Sequence, residues 1–181
     1  CADGWVLDVA VREPPDSVGS PRAVAICGHA MMVDRRTMDT RGDGLVSLLA
    51  RAGIAVLHPD LRGHGKSGPL AADGGRWSYD DLVEQDTPAL HALARDRYPG
   101  LKLFDVGHSL YGHTSLAYAA KYPERAPDGL VLLAANAWVR ECEPSLRMWL
   151  EKRALVATMW TATRAAGRFP ARAVNMGNTD E

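Results

Sequence analysis

Apolar and polar positions along this chain follow two rhythms. Between positions 5 and 11 every second residue (Trp5, Leu7, Val9, Val11) is apolar, the period of a half-buried strand. A turn rich in Pro, Ser and Gly covers 14–21. Short, largely apolar runs then recur at 23–27, 54–57, 101–106 and 130–135, as expected of strands covered on both faces of a parallel sheet. Helical stretches separate them. Residues 44–52 have Asp43 as candidate N-cap and Gly53 as stop. Ser78 and Asp81 form a capping-box-like start to a stretch reaching Tyr98, with Pro88 breaking or kinking it. A third helix, 110–121, ends just before Pro123. The alternation predicts an α/β fold, a mainly parallel sheet flanked by helices and joined by right-handed crossovers.

The stretch 145–166 differs. Leu146, Trp149, Leu150, Val156 and Trp160 recur at helical spacing, and Met148, Leu155 and Met159 widen the stripe. The bland reading is a core-facing helix; the sharper ones are a lid over an apolar cleft or a helix lying on a membrane surface.

Composition narrows the class. With 181 residues, 21 Lys+Arg against 22 Asp+Glu and a net charge of −1, the chain is a single-domain-sized globular sequence and not a basic nucleic-acid binder. No run approaches the ~18 apolar residues of a membrane span, and no leader pattern opens the chain. Integral membrane contact is not expected, and a cytoplasmic location is. Cys1, Cys27 and Cys142 share no metal-ligand spacing and read as free thiols; no metal and no organic cofactor is expected.

The strongest chemical signal is Gly107-His108-Ser109-Leu110-Tyr111-Gly112, where a predicted strand hands over to a predicted helix. A serine on such a turn exposes its hydroxyl above the sheet edge, and the N–H of Leu110 at the helix start can donate to a developing oxyanion. Read alone, Gly-x-Ser is also plain turn chemistry.

Two further stretches accompany it: Gly28-His29-Ala30-Met31 after the second apolar run, and Asp60-Leu61-Arg62-Gly63-His64-Gly65-Lys66-Ser67 after the third. With the Ser109 motif, these resemble the α/β-hydrolase family over residues 5–135. The likeness falls in its serine-hydrolase branch of lysophospholipase-like and S33-aminopeptidase-like enzymes. The resemblance implies an α/β-hydrolase core over 1–138, incomplete on its C-terminal side, and the start of a helical cap or lid over 139–181. It implies Ser109 as nucleophile and the N–H groups of Leu110 and Met31 as oxyanion donors. Ala30, His108, Tyr111, Trp149 and Trp160 are the candidates to line the substrate pocket. The Arg62–Ser67 stretch, and His29, His58 and His64, are expected to be structural and hydrogen-bonded. His91 is expected at the surface or boundary.

The pattern departs from the family in two places. Tyr111 stands where glycine is usual two residues after the nucleophile, and either points out of the turn, distorts it or reaches substrate. The triad does not close either: only His113 follows Ser109, on the same helix, and no acid sits at a recognisable strand end. A fragment lacking the acid and histidine is the expected explanation, with a short non-catalytic form as the alternative. The expected activity of the whole protein is cleavage of a carboxylic ester or similar acyl bond with a hydrophobic acyl or alcohol part. The substrate would be a small molecule, and 181 residues alone would be inactive. Aminopeptidase, thioesterase, carbon–carbon hydrolase and acyltransferase chemistry remain open on the same turn, as does a non-catalytic binding module.

Overall fold

A computed structural model describes residues 1–135 and 140–178. Five strands make one sheet: β1 (Val9–Arg12), β2 (Ala23–Gly28), β3 (Ile54–Pro59), β4 (Leu103–His108) and β5 (Gly129–Leu133), in spatial order β1-β3-β2-β4-β5. β2 pairs in parallel with β3 and β4, and β4 with β5; β1 runs antiparallel on β3. From β2 the chain goes to β3 on one side and returns to β4 on the other. The ends of β2 and β4 therefore part at a topological switch point, where open α/β sheets hold their ligands.

The side-chain period of two sorts the strands onto two faces. Val24 and Ile26 of β2 join Leu57, Leu90, Leu103 and Tyr111 in one buried cluster. Ala25 and Cys27 join Val46, Val56 and Val106 in the other. Strand β1 is shorter than the alternation suggests. Leu7, Val9 and Val11 pack on the first cluster. Trp5 leaves the ladder to meet Trp77 edge-on at 6.0 Å, with the Arg62 guanidinium 4.9 Å from its ring.

The helices are α1 (Leu45–Arg51), α2 (Tyr79–Asp81), α3 (Thr87–Arg97), α4 (Leu110–Lys121) and α5 (Leu146–Ala166). Three expectations need correction. Asp43 does not cap α1; it pairs with Arg51, and Asp39 accepts from the amides of Gly44 and Ser47 instead. A 3₁₀ turn at Thr40–Gly42 brings Asp39 back to the helix start, so the cap comes from farther up the chain than local spacing suggests. The 78–98 stretch is capped by Ser78 and Asp81 as expected, but passes through a π-helical turn at Leu82–Asp86. Pro88 stands two residues beyond it, with no N–H to donate and a ring that would strike the carbonyl four residues back, which a wider turn accommodates. His91 is buried rather than at the boundary, because α3 turns it toward Asp105 of β4.

Helix α5 is not core-facing: none of its residues is buried, and Leu146, Leu150, Val156 and Trp160 are exposed. Its contact with the apolar interior is made near its C-terminal end, where Met159 and Ala162 pack on Met32, Phe169 and Ala171. Among the described residues no helix is long and apolar enough to cross a membrane.

Candidate active site

Ser109 lies between the last residue of β4 and the first of α4, with φ 47° and ψ −105°. A non-glycine residue held there stores on the order of 1–3 kcal/mol of strain and persists only where its surroundings over-determine it. They do. The Ser109 amide donates to Leu133 O of β5 at 2.8 Å, and the His113 amide returns to Ser109 O at 3.0 Å. Gly107 and Gly112 let strand and helix touch: a Cβ on Gly107 would lie 2.4 Å from Gly112 Cα.

The Tyr111 ring resolves the departure from glycine. It runs into the core at 1% exposure, across Gly28 of β2, where a Cβ would lie only 2.0 Å from Tyr111 Cγ. Its hydroxyl donates to Asp105 Oδ1 at 3.2 Å. Burial first, and then the Asp105 charge, push the phenol well above its ordinary pKa, so it stays a donor. Asp105 Oδ2 also receives His91 Nε2–H at 2.8 Å and the Ser115 hydroxyl. The sequence marks Asp105 only as an acid inside a strand-like apolar run, and Gly28 only as the start of the motif after the second run.

The loop after β2 carries Met31. His29, fully buried, donates from Nδ1 to Ala30 O at 2.7 Å and accepts the Leu61 amide at Nε2, 2.9 Å. These bonds fix its neutral tautomer and occupy both ring nitrogens. Met32 takes φ 65°, and the C-terminal segment braces it: the Asn178 amide donates to Met32 O at 2.8 Å and its side chain to Asp34 at 2.9 Å.

The 60–67 loop is structural, as expected. Asp60 accepts the amides of Arg35 and Lys66 at 2.9 and 3.0 Å, while the Ser67 hydroxyl donates to Asp60 O at 2.7 Å. Arg62 is buried against Asp86, with Nη2 to Oδ1 at 2.6 Å and Nε to Oδ1 at 2.8 Å. His64 Nδ1 donates to Arg62 O at 2.8 Å. His58 departs from the expectation: its buried Nδ1 finds no hydrogen-bond partner among the described residues, because the ring stands on β3 rather than in the loop network.

A cleft of about 330 Å³ opens at the switch point. Met31 and Leu110 both line it, together with Trp77, Tyr79 and Leu82 on one side and Thr163 and Arg168 on the other. Trp77 packs over Gly63, where a Cβ would lie 2.0 Å from its ring. Of the other pocket candidates, Ala30 and His108 are half-buried and Tyr111 is in the core, none of them lining the cleft. Trp149 and Trp160 do not line it either: Arg153 lies 5.7 Å over the first ring and Arg164 5.0 Å over the second. Thr163 near the end of α5, and Gly167 and Arg168 just after it, line the cleft instead. Neither the Met31 nor the Leu110 amide donates to a backbone carbonyl among the described residues. No described side chain hydrogen-bonds the Ser109 hydroxyl, and His113 sits half-buried one turn along the helix.

A switch-point cleft beside a strained strand–serine–helix turn defines an α/β hydrolase. The family model of serine aminopeptidase, S33, matches residues 37–176, and the chain belongs to that family. A monoacylglycerol lipase from Mycolicibacterium smegmatis is 32% identical over 111 residues, covering 60% of this chain and 36% of that protein. The chain thus spans about a third of the length of this curated relative. Among solved structures, a monoacylglycerol lipase from Paleococcus ferrophilus is 25% identical with a TM-score of 0.56, covering 88% of this chain and 51% of the other. A thermostable carboxyl esterase from Bacillus coagulans, 24% identical with a TM-score of 0.58, covers 71% and 40% and shares the fold.

Proposed function

We propose that the protein carrying this chain hydrolyses carboxylic esters with a hydrophobic acyl or alcohol part, by way of an acyl-enzyme on Ser109. The observation that carries this reading is the strained Ser109 turn set next to a cleft lined by both Met31 and Leu110. Trp77, Leu82 and Met31 offer an apolar surface to a chain, and relatives named monoacylglycerol lipase support an acylglycerol-like ester over an amide.

In this mechanism Ser109 Oγ attacks the ester carbonyl, and the amides of Leu110 and Met31 receive the oxyanion as it forms. Collapse of the tetrahedral species expels the alcohol and leaves an acyl group on Ser109; water then releases the acid. The proton leaving Ser109 needs a histidine oriented by a carboxylate. His29, His64 and His91 bind other partners and no described side chain, His58, His108 and His113 included, hydrogen-bonds the Ser109 hydroxyl, so this reading assigns the base and its acid to residues outside those described.

The test is fluorophosphonate labelling of the full native chain, followed by turnover of p-nitrophenyl acyl esters against free amino-acid amides. Labelling and ester turnover that both vanish in Ser109→Ala, with the fold retained, are expected. Retained hydrolysis in that variant overturns the assignment of Ser109. An unlabelled native chain favours a non-catalytic binding module, and amide turnover favours the aminopeptidase alternative.

A further inference from the structure

Tyr111 occupies a place where its size is unexpected, and the network around it is built with care for that size. Its ring lies over a residue that tolerates no Cβ, Gly28. Its hydroxyl ends on Asp105, which stands on β4 four residues before Ser109. Asp105 is 1% exposed, and its other oxygen is held from two further directions, by His91 of α3 and Ser115 of α4. The carboxylate is thus a fixed point inside the core, and Tyr111 is tied to it from the first turn of α4.

The tie acts on a short piece of chain. Between its two ends run only Val106, Gly107, His108, Ser109 and Leu110. Ser109 holds the strained φ of 47°, and Leu110 brings its amide to the cleft lining. Contacts beyond the network hold the same piece at other points: the Ser109 amide on Leu133 O, and the Tyr111 amide on His29 O at 3.4 Å. The last is long for a hydrogen bond, and the side-chain tie gives this end a second anchor.

We propose that Tyr111 and Asp105 form a buried clamp that positions Ser109 and the Leu110 amide for reaction, with His91 and Ser115 fixing the carboxylate. The clamp rests on the reading of Ser109 as nucleophile and Leu110 as oxyanion donor. Tyr111 and Asp105 are positioning residues: neither touches the cleft. Ser47 offers the comparison: it is buried on α1, and its hydroxyl donates to a different carboxylate, Asp39, at 2.9 Å, with no part in the clamped segment.

That difference gives the test. Tyr111→Phe and Ser47→Ala each delete one hydroxyl donor to a carboxylate and little volume. In the full native chain both are expected to lower Tm by a similar amount, about 2–8 °C. Active sites are then counted with a fluorophosphonate, and kcat and KM are measured on a p-nitrophenyl acyl ester. Tyr111→Phe is expected to lose about 10- to 100-fold in kcat per counted site with KM unmoved, as a small misplacement of reacting groups does. Ser47→Ala is expected to keep its kcat. A Tyr111→Phe enzyme with native kcat per site overturns the clamp while leaving Ser109 in its role. Equal kcat losses in the two variants also overturn it, because stability alone would then account for both. If the native chain takes no label, the reading of Ser109 fails and the clamp fails with it.

Discussion

Replacing Gly28 by Ala puts the packing at the serine turn to a quantitative test. The new Cβ would lie 2.0, 2.3 and 2.5 Å from Cγ, Cδ1 and Cβ of Tyr111. These are the stem and near edge of the side chain, not a flexible end that can swing aside. The ring is 1% exposed and its hydroxyl is held by Asp105, so rotating it away costs a buried hydrogen bond as well as packing. Overpacking typically costs 1–3 kcal/mol, and the upper end, about 3 kcal/mol, applies here. Against a total stability of roughly 5–15 kcal/mol that is a large loss. With a urea m-value of about 2 kcal/mol/M the midpoint falls by about 1.5 M.

The decisive arm is Tyr111→Gly, alone and combined with Gly28→Ala. Tyr111→Gly costs about 3–5 kcal/mol by itself, as large-to-small core changes do. In that background the methyl introduced by Gly28→Ala enters vacated space, and its further cost is expected within about 0.5 kcal/mol of zero, the scatter of independent sites. Urea unfolding of all four chains, followed by circular dichroism with sucrose present to keep each folded, yields a coupling of about 3 kcal/mol. Additive costs across the cycle would refute the placement of Tyr111 over Gly28.

Two further outcomes follow from buried and half-buried groups. Burial pushes the Asp39 carboxyl up, but hydrogen bonds from Ser47, Arg12 and the Gly44 amide outweigh it and hold the carboxyl below its ordinary 3.8. The folded state then binds this proton more weakly than the unfolded one, so the contribution is full above about pH 4 and fades as pH falls through the folded value. The stability gap between the native chain and Asp39→Asn, measured by urea titration from pH 7 to pH 2.5, should shrink only below about pH 4; a constant gap contradicts the assignment. Cys27 is fully buried, and burial, followed by the charges of Asp105 and Asp39, pushes its thiol up to about 12. Iodoacetamide at pH 8, read by mass spectrometry, should modify exposed Cys142 in the folded protein and Cys27 only after unfolding.

The order of strands and helices, the parallel sheet and the serine turn were legible in the sequence because each rests on local chemistry. Period-two and continuous apolar runs announce strands by which faces they bury. Ser78 and Asp81 announce a helix start by the amides they satisfy. Gly107 and Gly112 announce a close strand–helix approach that admits no Cβ. What depends on residues far apart in the chain was not legible. Asp39 caps α1 only after a 3₁₀ turn folds it back. The stripe on α5 reads as a core face, yet whether a stripe is buried depends on what the fold brings opposite it, and Met159 and Ala162 are the residues that meet the Met32 cluster. His91 reads as a boundary residue until α3 carries it to Asp105, and Tyr111 reads as a misfit until β2 places Gly28 beneath its ring. Hydrophobic period and turn chemistry act within a few residues and so can be read along the chain. The partners of a buried carboxylate, a ring or a helix face are chosen by packing across the sheet, and that only the tertiary structure decides.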